Sequence, residues 1–147
     1  MVFLLQSGMS NISVNGSSMD PTVRNGQLML ASKVFSGPER GEIVVVKGLG
    51  LDQRKLIKRV IGLPGETIEI HSGEVLINGR VLNEDYVRHH STDSMEALTV
   101  PEDYYWVMGD NRTASTDSRV WGPIPEENIL GSAWVSYWPI TKWGLIN

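Results

Sequence analysis

The sequence predicts a mainly β protein, and three observations carry that expectation. Short apolar runs recur every eight to fifteen residues, each bounded by Gly, Pro or Asn-Gly. Fifteen glycines and seven prolines are too many chain breakers for a helical bundle. No periodic segment is long enough to make a helix that organises a core.

In chain order, Ile12, Val14 and Gly16 alternate with Ser13 and Asn15 as a first strand. Residues 27–34 are an apolar run, and 42–47 contain Ile-Val-Val-Val. Residues 54–61 alternate and stop at Gly62-Leu63-Pro64-Gly65. There Pro64 fixes φ and Gly65 supplies the positive φ of a type II turn. A meander follows: Ile68 and Ile70 share a face, Ser72-Gly73 turns, and Val75 and Ile77 return. Asn78-Gly79 then makes a type I′ hairpin into Arg80-Val81-Leu82. Residues 83–100 are polar and poorly patterned and read as a long loop. Residues 104–108 form a strand that enters the polar run 109–119, with a second apolar strand expected beyond it. Residues 125–129 read as one helical turn, and 133–138 as a closing strand.

At 147 residues the chain suits one compact domain, or one core with a modest insertion. A net charge of −4 gives no nucleic-acid footprint. Cysteine is absent, which excludes a disulfide framework, a thiolate nucleophile and Cys-ligated zinc. Residues 1–5 are apolar but far short of the roughly 20 needed to span a bilayer, and no cationic segment precedes them as in a signal peptide.

Three segments carry chemistry. The first is Gly-Asp-Asn-Arg-Thr-Ala-Ser-Thr-Asp-Ser-Arg at 109–119. It has no large apolar side chain, so it folds only if its polar groups satisfy one another; each one buried unpaired costs about 1–3 kcal/mol. Asp110, Asp117, Arg112 and Arg119 can form ion pairs, with Ser115 and Ser118 as hydroxyl partners. The second is the turn Ser17-Ser18-Met19-Asp20-Pro21-Thr22. Here a serine between a strand end and a proline can project its hydroxyl beside backbone N–H groups, as an acyl-transfer nucleophile requires, or can simply be a turn residue. The third is 54–61. With a period of two, Lys58 shares a face with Leu56 and Val60, and Arg59 shares the other with Ile57 and Ile61. A lysine among apolar neighbours is either desolvated towards a general base or snorkels at a sheet edge. His89 and His90, with Asp93 and Glu96, lack the spacing of a metal site and read as a solvated loop.

Serine, lysine and polar run thus occur in that order. The sequence resembles the type I signal peptidases, the membrane-bound Ser/Lys endopeptidases of bacteria. The matching blocks are Gly16 through Thr22, Arg40-Gly41-Glu42-Ile43-Val44-Val45, Lys58 through Glu66, and Gly109 through Arg119. Ile129-Leu130-Gly131 and Tyr137-Trp138-Pro139 are familiar as well.

The resemblance implies a signal-peptidase-like β-barrel or sheet core, built from 10–66 and 104–147. It also implies a small inserted meander or lid at 67–103, with 1–9 in the place of a membrane-proximal segment. It implies that Ser18 is the nucleophile, Lys58 the general base and Ser115 the residue that hydrogen-bonds the lysine amine. Asp117, Arg119 and Arg59 would form an ion-paired scaffold beneath them. Ile12, Val14, Gly16, Met19 and Ile57 would contact substrate. Some relatives carry a serine two positions before the nucleophile where this chain has Gly16, so a second oxyanion donor would be backbone. No metal or cofactor is implied. The partners would be preprotein signal peptides with small residues at −1 and −3, and a membrane surface, with the protein acting as a monomer. The place would be the cell membrane, with the catalytic domain on the extracytoplasmic side. Trp138, Ile140 and Trp143 would lie on the bilayer or pack as ordinary core.

Two other classes fit less well. A self-cleaving Ser/Lys repressor protease needs an Ala-Gly or Cys-Gly site upstream of the serine, and this chain has neither dipeptide. A catalytically silent peptide-binding β module would differ by a lysine out of reach of Ser18.

Overall fold

The computed structural model describes residues 9–33, 37–49, 54–139 and 144–146. Among these residues twelve short strands make two antiparallel sheets. The larger has the order β1 (Met9–Ser13), β2 (Leu28–Ser32), β11 (Ile129–Trp138), β3 (Ile43–Lys47), β4 (Lys55–Gly62), β9 (Tyr104–Met108) and β10 (Ile124–Pro125), with β12 (Gly144–Leu145) paired to β11. The smaller has the order β7 (Arg80–Val81), β6 (Glu74–Ile77), β5 (Thr67–His71) and β8 (Met95–Thr99). The mainly β expectation holds. Among the described residues the main path is open rather than a closed barrel, and β1 is one of its edges.

β3 sits mid-sheet because both of its faces are apolar, and four consecutive residues, Ile43 to Val46, are buried. Ile43 and Val45 pack with Val14, Met19, Val23, Met29, Ala31 and Ala133. Val44 and Val46 pack on the other face with Val60, Tyr105, Val107, Ile124 and Ile129. The alternation read in 54–61 follows the same division: Leu56 and Val60 join the second of these clusters, and Ile57 the first.

The turns follow their residue types. Gly65 has φ +81°, and Glu66 N donates to Leu63 O at 3.1 Å across the Pro64-Gly65 turn. Asn78 and Gly79 both have positive φ (51° and 79°), as a type I′ hairpin requires. The helical turn expected at 125–129 is a 3-10 turn, Glu126–Asn128.

Four expectations need correction. Residues 83–100 are not all loop, since Met95–Thr99 is strand β8 on the edge of the smaller sheet. Ile68 pairs with Leu98 and Ile70 with Met95, so a bulge adds one residue to β8 and breaks its period of two. Met95 and Leu98, three apart, both reach the core, which is why the segment reads as patternless. Secondly, the apolar segment after the polar run starts as a one-turn helix, α1 (Ser118–Trp121), before the two-residue β10. Thirdly, the first strand stops at Ser13, and Gly16 at φ +107° leaves the strand conformation instead of continuing its face. Finally, the closing strand starts at Ile129, four residues earlier than read from the sequence.

The inserted meander shares its core with the main sheet. Ile68, Ile70, Val75 and Ile77 pack against Ile61, Val100, Trp106 and Met108. Ile68→Ala is therefore expected to cost about 2–5 kcal/mol. Urea unfolding followed by tryptophan fluorescence and by far-UV circular dichroism should give one coincident transition, because the insertion has no separate core.

Candidate active site

The serine turn is strapped to the polar run by backbone. Asn111 N donates to Ser18 O at 2.9 Å, and Asn111 Nδ2 to Ser17 O at 3.1 Å. Thr22 Oγ1 donates to Asp110 Oδ2 at 2.6 Å, and the buried side chain of Met19 accepts from Asp110 N at 3.4 Å. At the other side of the turn Gly16 N donates to Asn25 Oδ1 at 2.9 Å. That bond occupies the Gly16 N–H, whereas the Ser17 and Ser18 N–H groups donate to nothing among the described residues.

β4 delivers Lys58 to this turn. Paired opposite Val44, the side chain is 2% exposed, with Nζ 2.8 Å from Ser18 Oγ. Among the described residues Lys58 makes no salt bridge. Burial lowers its pKa from the ordinary 10.5 to about 8; the field of Asp117 opposes the change and that of Arg119 assists it.

Asp117 is completely buried and caps α1. It accepts from Ser115 Oγ at 2.7 Å, Gly109 N at 3.0 Å, and Arg119 Nε and Nη2, both at 2.9 Å. Burial alone would raise its pKa, but the Arg119 guanidinium and these hydrogen bonds outweigh it and hold the carboxyl below its usual range. Arg119 also donates to Asp93 Oδ2 and to Arg112 O, both at 2.8 Å.

Two predicted roles change. The Ser115 hydroxyl is donated to Asp117 and not to the lysine amine, because Asp117 stands two residues away and offers a charged acceptor. Arg59 does not join the Asp117 network. Its Nε and Nη2 donate to Asp110 at 2.9 and 2.7 Å, its Nη1 donates to Gly41 O at 2.8 Å, and the guanidinium lies 3.9 Å over the Tyr86 ring. The scaffold is thus two buried Asp–Arg pairs, each carried by one of the two carboxylates of the polar run.

Ile12, Val14, Gly16, Met19 and Ile57 all line one groove with Ser18, about 750 Å³ in volume. Met19 contributes only an edge, since its side chain is otherwise core. Trp138 is exposed, which excludes the core-packing alternative for it; Ile140 and Trp143 lie outside the described residues. His89 Nε2 lies 3.6 Å from Asp20 Oδ2, beside the serine turn.

Sequence reasoning missed Gly109, Asn111, Thr22 and Glu84. A Cβ on Gly109 would lie 2.3 Å from Ser115 Oγ and 2.4 Å from Ser18 O, so only glycine lets the serine turn and the polar run meet. Its carbonyl accepts from Arg112 Nε at 2.8 Å, and Arg112 in turn pairs with Glu84 from the segment after the meander. A glycine at the junction of an apolar strand and a wholly polar run was the available signal for Gly109. Nothing local marks the other three.

A family model described as "Signal peptidase, peptidase S26" matches residues 1–138. The chain is 38% identical to the probable signal peptidase I-2 of Synechocystis, covering 90% of this chain and 65% of that protein. It is 42% identical to signal peptidase I V of Bacillus subtilis over 80% of this chain and 79% of the relative. It is 36% identical to thylakoidal processing peptidase 1 of Arabidopsis thaliana over 88% of this chain, which spans 42% of that longer protein. Among solved structures, a signal peptidase I from Enterococcus faecalis matches with a TM-score of 0.59 and 32% identity, covering 67% of this chain and 98% of that one. With the family model spanning nearly its whole length, the chain belongs to the signal peptidase family, peptidase S26.

Proposed function

We propose that this chain is the catalytic part of a signal peptidase I, a serine endopeptidase that cuts exported preproteins after small residues at −1 and −3. The observation that carries this reading is the 2.8 Å contact between Ser18 Oγ and a buried Lys58 amine that no carboxylate pairs with directly. Neutral Lys58 accepts the Ser18 proton as Oγ attacks the scissile carbonyl. The resulting ammonium protonates the leaving amine, and a water attacks the acyl-enzyme through the same base. The uncommitted Ser18 N–H is the oxyanion donor, with the Ser17 N–H beside it on the same turn. The Asp117 charge steadies the lysine ammonium when it forms, and Ser115 acts through Asp117 as a positioning residue.

The substrate adds as a strand along the edge of β1, which is unpaired among the described residues. Ile12, Val14 and Ile57 then form shallow apolar walls that admit small side chains at −1 and −3. The exposed Trp134, Trp138, Leu130 and Leu145 of β11 and β12 support a membrane surface as the place of action, since aromatic side chains favour the interface. No helix among the described residues is long and apolar enough to cross a membrane. An extracytoplasmic, monomeric enzyme is the arrangement this reading implies.

The first test is cleavage of a preprotein with an Ala-x-Ala site in mild detergent. Ser18→Ala and Lys58→Ala should each lose at least about 10⁴-fold in kcat; variants that cut like the wild type would end the proposal. The rate should rise with pH through about 8, as Lys58 loses its proton.

Stability carries the same sign independently of activity. The folded lysine titrates at about 8 and the unfolded one at the ordinary 10.5, so the unfolded chain binds more protons between those values and stability rises with pH across that window. Lys58→Met should therefore be more stable than the wild type below pH 8, with a difference that shrinks by pH 10 in urea titrations. Gly109→Ala should cost about 1–3 kcal/mol and lower cleavage by roughly 10²-fold, since the displaced serine turn moves Ser18 from Lys58.

A further inference from the structure

The groove that holds Ser18 at one end has a different chemistry at the other. Its middle is apolar, with Ile12, Val14 and Ile57, and Lys33 and Lys55 stand beyond it. Among the described residues these two are the only ionisable ones in its lining, and no carboxylate of that set lines it. Both are exposed, and neither makes a hydrogen bond or an ion pair among the described residues. Two unpaired cations facing one peptide groove leave a charge for an occupant to neutralise.

Their position along the groove follows from the strands. Lys55 precedes Lys58 by three residues on β4, about 10 Å of strand from the dyad. Lys33 follows Ser32, which pairs with Met9 at the start of β1, seven residues before Gly16 and so at most about 23 Å from it. The reading above places the −1 and −3 side chains against Ile12, Val14 and Ile57. The residues before them then run towards Met9, and those at about −4 to −6 pass between the two lysines.

We infer that Lys33 and Lys55 select substrates by charge, favouring an acidic side chain four to six residues before the scissile bond and disfavouring a basic one there. The inference rests on the proposed peptidase reading for the direction of the bound chain.

The test uses the full chain in nonionic detergent at about 50 mM salt, where surface charges are weakly screened. The peptides carry Ala at −1 and −3 and differ only in Glu, Gln or Lys placed at −4, −5 or −6. At one or more of these positions kcat/KM for the Glu peptide should exceed that for the Lys peptide by roughly three- to tenfold. The ratio should shrink towards one in 0.5 M salt and invert in the Lys33→Glu/Lys55→Glu double variant. Because the ratio is taken within each protein, a general loss of activity in the variant cancels. The same peptides titrated onto Ser18→Ala by fluorescence anisotropy should show the same order of Kd.

That binding arm separates the two readings. A charge preference in binding without any cleavage would sink the peptidase reading and leave the lysine assignment standing. Ser18-dependent cleavage with a ratio near one at all three positions would overturn the assignment alone, as would a ratio unchanged by the double charge reversal. A preference that moved to residues after the scissile bond would overturn it too. So would one that arose only with phosphatidylglycerol vesicles, which would put the lysines on lipid headgroups.

Discussion

A primary amine in an apolar interior titrates low only if nothing nearby holds its proton. Lys58 satisfies that condition by a narrow arrangement: it is almost completely buried, its hydrogen-bond partner is the neutral Ser18 hydroxyl, and it has no directly paired carboxylate. A carboxylate is nevertheless close enough to oppose the desolvation, and the fold keeps Asp117 from pairing with the amine by saturating it. Five hydrogen bonds from Arg119, Ser115 and the Gly109 amide reach its two oxygens. The same guanidinium that neutralises Asp117 adds its own positive field at Lys58. On the proposed reading, the polar run is the apparatus that makes one lysine available as a base.

Such an apparatus is expensive in the interior. Buried ion pairs contribute little net stability, because desolvation offsets most of their attraction, although breaking one leaves an uncompensated charge. Among the described residues three such pairs, Asp117–Arg119, Asp110–Arg59 and Glu84–Arg112, gather around Gly109. Their residues are tied to different parts of the fold: Arg59 to Gly41 and the Tyr86 ring, and Arg119 to Asp93 of the meander sheet's connecting segment. The pairs therefore fix geometry more than they add stability. They lock the serine turn, the lysine strand and the inserted segment into one arrangement.

The insertion is consequently part of the scaffold. Its isoleucines complete a core with Trp106 and Met108, the strand that leads into the polar run, and Glu84 behind it holds Arg112 against the Gly109 carbonyl. Among the described residues the edge of β1 stays unpaired beside a groove with apolar walls. Rigid support together with an open edge is the division of labour that strand-wise peptide recognition requires.

Legible in the chain alone are the strands whose two-residue period is unbroken, the glycine turns, and the serine, lysine and polar run as chemical elements. These are local properties of backbone sterics and residue type, and they survive being read one segment at a time. What those elements touch is set by how the strands and turns pack together. The β8 bulge removed the period that would have revealed a strand. Ser115 bonded Asp117 because a carboxylate lay two residues off, and Arg59 found Asp110, 51 residues away in sequence. Pairing among like residues is degenerate in the chain, where either arginine suits either aspartate. The packing of β4, β9 and the serine turn around Gly109 removes that degeneracy, because distance and burial, and not residue type, choose the partner.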